Sequence, residues 1–131
     1  MSELADRISW RQLREFADVD LTRSFVLSWH VKADTLVIDV DLCLESQHPF
    51  YEKPPPAEKE CIRPAYIEFP YCEDIRQDGG ERGEAAEIAR NIGYGAITNL
   101  CLRDDGQYAI SGEFGTVIIK AEGPILRLKG S

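Results

Sequence analysis

A chain of 131 residues, 44% of them hydrophobic, has the size and composition of one ordinary globular domain spanning 1–131. Its 23 acidic and 15 basic side chains give a net charge of -8. That charge opposes binding to nucleic acid and docking on anionic membranes, both of which need clustered Lys and Arg.

The stretch Met1-Ser2-Glu3-Leu4-Ala5-Asp6-Arg7 has no apolar run of the signal-peptide kind. No stretch nears the ~20 apolar residues of a membrane span. A cytoplasmic location is expected, with Cys43, Cys61, Cys72 and Cys101 as reduced thiols. Ser9 and Gln12 then form a capping-box pair, and Trp10, Leu13 and Phe16 or Ala17 recur at helical spacing. This predicts a short N-terminal helix ending near Asp18.

Two strands follow. Phe25, Leu27, Trp29 and Val31 alternate along the first, and Leu36, Ile38, Val40, Leu42 and Leu44 along the second. Placing Val31 opposite Leu36 pairs Trp29 with Ile38, Leu27 with Val40 and Phe25 with Leu42. All large apolar residues then share one face, and a one-residue slip would destroy the agreement.

Periodicity stops between Glu45 and Glu60, where Pro54-Pro55-Pro56 makes a stiff extended piece. Connections this long are uncommon in compact domains and are enriched in binding and active-site roles. The stretch brings together Glu45, His48, Phe50, Tyr51 and Glu58, the candidate binding residues. One reading makes them a recognition surface. The other makes Phe50 and Tyr51 plugs that anchor the loop.

Strand character resumes from Cys61 to Phe69. Pro64 and Pro70 bracket it, which suggests an edge strand or a bulge. After the Gly79-Gly80 turn, Ala85, Ile88, Ala89 and Ile92 mark a second short helix over 84–92, with Gly93 as its stop. Asp104-Asp105-Gly106 fits a three-residue hairpin loop that sets Leu102 against Tyr108 and Leu100 against Ile110. Glu122-Gly123 suggests a final hairpin with Ile119 opposite Leu126. The fold class is therefore mainly β (α+β): six to eight mostly antiparallel strands as a small sandwich or partly open barrel.

Chemistry-bearing motifs are weak. The two histidines and four cysteines lack zinc-site spacing, so no metal is assigned, and no motif implies a cofactor. Asp39 and Asp41 share a strand face, as acid–base pairs do, but a solvated sheet face also explains them. The glycine pairs 93/95 and 112/115 lack the spacing of phosphate loops.

The segments Asp20 to Trp29, Leu36 to Leu42 and Gly112-Glu113-Phe114-Gly115-Thr116-Val117-Ile118-Ile119 resemble small uncharacterised bacterial β-rich families, some described as toxin-immunity proteins. The resemblance covers the strands only and carries no site residue across. It implies a binding role. The leading expectation is a non-catalytic interaction domain, in one form an immunity-like inhibitor of a basic protein partner. The alternative is a small enzyme or ligand carrier whose pocket the 45–60 loop gates, with His48 as acid–base group oriented by Glu45 or Glu58. An exposed edge near Pro64 to Pro70 would offer a route to a homo-oligomer.

Overall fold

The computed structural model describes residues 8–80 and 83–130. The stretch Met1 to Arg7 lies outside the described residues. Nine antiparallel strands run in chain order: β1 (Ile8–Ser9), β2 (Val19–Lys32), β3 (Thr35–Leu44), β4 (Cys61–Phe69), β5 (Asp74–Gln77), β6 (Gly95–Leu102), β7 (Tyr108–Gly112), β8 (Gly115–Lys120) and β9 (Ile125–Leu128). One helix, α1 (Ala85–Asn91), precedes β6. The strands form an open sheet in the order β5-β8-β7-β6-β2-β3-β4-β9, with β1 added beside β6.

The sheet is strongly curled. β4 and β5 lie six positions apart in this order, as do β8 and β9, yet four residues join each pair. In a flat sheet, six spacings would separate them by roughly 29 Å. A four-residue link covers roughly 17 Å at full stretch. The two links cross side by side, with Glu122 N–H donating to the Pro70 carbonyl at 2.9 Å and Glu73 N–H to the Lys120 carbonyl at 2.8 Å. The two halves of the sheet meet inside, where Phe69 of β4 lies 5.4 Å from Tyr108 of β7 between ring centroids. Leu21, Leu36, Ile38, Ile67, Ile97, Ile110 and Ile119 are completely buried in this core.

The N-terminal helix is replaced by two short 3₁₀ turns, Trp10–Gln12 and Arg14–Phe16. The capping box is present: Ser9 accepts from Arg11 N–H, and Gln12 accepts from Ser9 N–H. Leu13 between the turns is extended, with φ -86° and ψ 125°. Pairing of Ile8 and Ser9 with Leu102 and Cys101 pins the start of the segment to the sheet. Trp10 and Phe16 then each reach the core from separate turns. So short a segment has little intrinsic helicity to resist that.

The β2–β3 hairpin is as the alternation predicts near its turn, with Val31 opposite Leu36 and Trp29 opposite Ile38. Farther on, β2 has extra residues. Val26, not Leu27, faces Val40, and Phe25 faces Asp41 rather than Leu42. Leu27 is the surplus residue of a bulge, which reverses the facing of everything beyond it. A larger irregularity lies between Asp20 and Phe25. There side chains take over the backbone bonds: Asp20 accepts from Thr22 N–H at 3.0 Å, and buried Ser24 donates to the Asp20 carbonyl and accepts from Cys43 N–H.

The Asp104-Asp105-Gly106 hairpin has its predicted register, Leu102 against Tyr108 and Leu100 against Ile110, with Gly106 at φ +83°. The final hairpin does not form. β8 pairs with β7 and β5, while β9 crosses to β4 and sets Leu126 opposite Ile67. Pro124 has no N–H for a tight turn. β4 is therefore flanked on both sides, and the expected exposed edge is covered from Ala65 to Glu68. Pro64 falls just beyond the β9 ladder, where its missing donor is tolerated.

Candidate functional site

The 45–60 stretch is a connection without strand or helix, as its prolines dictate, and it is tied down along its first half. Glu45 N–H donates to the Asp18 carbonyl, His48 N–H to the Glu45 carbonyl and Tyr51 N–H to the His48 carbonyl. Arg63 of β4 donates to the Phe50 carbonyl and to Glu52, each at 3.1 Å. Half-buried Tyr51 packs against the core.

The predicted residues separate into three places. His48 and Phe50 sit together, ring centroids 6.0 Å apart, and Phe50 is 52% exposed. Glu45 and Tyr51 line a cleft of about 310 Å³ with Asp20, Arg23, Cys43 and Glu60. Glu58 lines a separate shallow surface with Lys59, Glu60 and Ile62.

His48 Nδ1 accepts a hydrogen bond from Phe50 N–H at 3.1 Å. Burial lowers its pKa from the usual value, with the Asp18 charge acting in the opposite direction. Neither Glu45 nor Glu58 bonds to its ring. The imidazole nitrogen that faces the chain is thus spent on holding a turn.

In the adjoining cleft, Arg23 bridges Glu60 at 2.9 Å and Asp20 at 3.5 Å. The Cys43 thiol points at Glu60, 3.8 Å away. Burial first, then the Glu60 and Asp20 charges, push this thiol up to about 11. It is a protonated donor at neutral pH, the opposite of an activated nucleophile.

The outer face of β2-β3-β4-β9 follows from the register. One row holds Asp20, Cys43 and Ile62, the next Phe25, Asp41 and Pro64, the next Ser28, Asp39, Tyr66 and Arg127, and the last His30, Val37, Glu68 and Ile125. Ser28, His30 and Asp39 are the residue types of a hydrolytic triad, but their order is wrong for one. The Ser28 hydroxyl donates to Asp39 at 3.0 Å, and His30 Nδ1 is 4.0 Å from the same carboxylate oxygen. The serine therefore donates to a weakly basic carboxylate, itself held by Lys129, where a nucleophile needs an imidazole. Lys129 bonds the other Asp39 oxygen and lies over the Tyr66 ring at 4.6 Å. Glu68 is held by Arg127 at 2.8 Å.

Exposed apolar side chains stand among these polar groups. The β2 bulge leaves Phe25 37% and Leu27 44% exposed, although alternation places both in the core. Tyr94, 70% exposed, comes from the α1–β6 connection to stand 6.2 Å from the Phe25 ring. Ile62 adds a fourth exposed apolar side chain, 43% exposed. The one signal for this in the sequence is the run of short polar residues Asp20, Thr22 and Ser24 just before Phe25, which competes with a regular ladder.

Among the described residues no three of His, Cys, Asp and Glu converge as metal ligands. Among the same residues no helix is long and apolar enough to cross a membrane. Comparisons of the chain with protein-family models, with curated proteins and with solved structures found no match.

Proposed function

We propose that this chain is a non-catalytic binding domain that recognises a protein partner through the outer face of β2, β3 and β4. The observation that carries the reading is the bulge-driven exposure of Phe25 and Leu27 beside Tyr94. Large apolar side chains clustered in the open, rimmed by polar groups, are the usual mark of a contact surface, with aromatics as its anchors. The curled sheet acts as a small sandwich that holds this face rigid. His48 and the Cys43 thiol, the two groups best suited to catalysis by type, are both committed to local bonds.

A basic partner fits the net charge of -8, which speeds encounter and makes its rate sensitive to salt. Inhibition of a basic protein, the role implied by the resemblance to immunity proteins, is the concrete form of this proposal.

The test compares wild type with a Phe25→Asp/Tyr94→Ser double variant in quantitative affinity capture from the source cell, at low and high salt. Circular dichroism confirms that both proteins are folded. The reading expects a protein that is retained by wild type and reduced at least about tenfold by the variant, as hot-spot aromatics imply. A capture profile identical for the two proteins overturns it.

A further inference from the structure

The other half of the sheet carries an open cleft of about 390 Å³ on the outer face of β5, β8, β7 and β6. Register fixes its layout. Arg76, Ile118, Ala109 and Cys101 form one row across the four strands. Ile118, Ala109 and Cys101 make a narrow apolar floor. Ala109 is small and Cys101 is buried, so the floor is recessed.

Thr116, Ser111 and Asn99 form the neighbouring row along one side of the floor. The Ser111 and Thr116 hydroxyls lie 3.0 Å apart and share one hydrogen bond, which leaves further donor and acceptor capacity on both. Arg76 bounds the cleft on the β5 side. Arg103, which follows β6, bounds the opposite side. Three strand spacings separate the β5 and β6 sides, roughly 14 Å between backbones. Arginine side chains thus line the cleft from both sides of this gap.

Arg76 is half-buried, and its guanidinium makes no ion pair or hydrogen bond among the described residues. In a chain of net charge -8 a half-buried guanidinium that no described acid pairs with is conspicuous, because acids are abundant. Arg103 is held by Asp105 of its own turn at 3.2 Å. Asp78 lines the cleft near the Thr116 end, its N–H bonded to the Thr116 carbonyl.

The geometry points to a binding site for a small monocarboxylate that bears hydroxyl groups. The guanidinium fork matches the two oxygens of a carboxylate. The Asn99, Ser111 and Thr116 side chains match hydroxyls, and Asp78 accepts from one of them. The two arginines and the two acids Asp78 and Asp105 nearly cancel, so the cleft favours a single negative charge over a phosphate dianion. This site is on the opposite half of the sheet from the proposed protein-binding face and stands independently of it.

A matched series of hexoses tests the proposal by amide chemical-shift titration of the isotope-labelled full chain: D-glucose, D-glucuronate and D-glucose 6-phosphate. Glucuronate is expected to shift the amides of Asn99, Ser111 and Thr116 saturably. Glucose should leave them unmoved, and glucose 6-phosphate should bind more weakly than glucuronate. Arg76→Gln should weaken glucuronate binding at least about tenfold, with Arg76→Lys between the two. A well-dispersed spectrum shows that each variant is folded. Absence of saturable shifts with glucuronate, or an affinity that Arg76→Gln leaves unchanged, overturns the site. Binding of the phosphate ester as tight as that of glucuronate overturns its assignment to monocarboxylates.

Discussion

The Trp29 indole meets the Phe114 ring edge-on, with centroids 5.2 Å apart and planes inclined by 71°. Phe114 sits in the tight turn between β7 and β8, so this contact fastens that hairpin to β2. Trp29 Nε1–H also donates to the Gly93 carbonyl at 2.8 Å, which ties in the connection after α1. One side chain thus joins three parts of the curled sheet. Trp29→Phe removes the donor and leaves part of the site empty, and should cost about 1–3 kcal/mol. Urea unfolding reads this as a lower midpoint at unchanged slope. An unchanged midpoint would deny the indole its cross-linking role.

Asp39 provides a pH signature. Burial raises its pKa, but hydrogen bonds from Lys129 and Ser28, with the Lys129 and His30 charges, outweigh burial and hold it below the usual carboxylate value. A carboxylate depressed in this way adds stability in full above its unfolded pKa of about 3.9. The contribution is lost as pH falls from there through the folded value. Asp39→Asn should lower stability by about 1 kcal/mol at neutral pH and flatten the acid limb of the stability curve. Equally steep acid limbs in the two proteins would show that Asp39 does not contribute to that loss.

Thiol reactivity separates structural from activated cysteines. Burial pushes Cys72 up to about 11; a backbone hydrogen bond at Asp74 opposes this, and the Asp74 and Glu73 charges add to it. Cys43 is likewise pushed up to about 11. At pH 8 a thiol of that pKa has roughly a hundredth of the thiolate of one near 9. Alkylation of Cys72 by iodoacetamide in the folded protein should therefore be about a hundredfold slower than in urea and should keep rising with pH beyond 10. Comparable rates in the folded and unfolded chain would contradict this.

Several features are readable directly from the chain. The two-residue rhythm from Trp29 to Ile38 sets the hairpin near its turn, and Gly106 sets the 104–106 loop, because both depend on neighbours along the chain. The prolines between Glu45 and Glu60 mark the long connection for the same reason. The Ser9–Gln12 capping box is also local, and it forms even though the helix does not.

Other features depend on partners distant in sequence. Pairing of Ser9 with Cys101 decides the fate of the N-terminal segment, and the buried Ser24 bond to Cys43 pins the irregular stretch of β2 between Asp20 and Phe25. The separate bulge at Leu27 turns Phe25 and Leu27 outward, which strict alternation cannot anticipate. The destination of β9 is decided in the same way. Leu126 and Leu128 would fit an inner face beside β8 or β4 equally well by pattern, and only curling of the whole sheet brings β4 within reach. Periodicity determined which residues want to be buried, because hydrophobicity belongs to each side chain. Which neighbours bury them, and which surface is left bare, belongs to the curled arrangement of all nine strands.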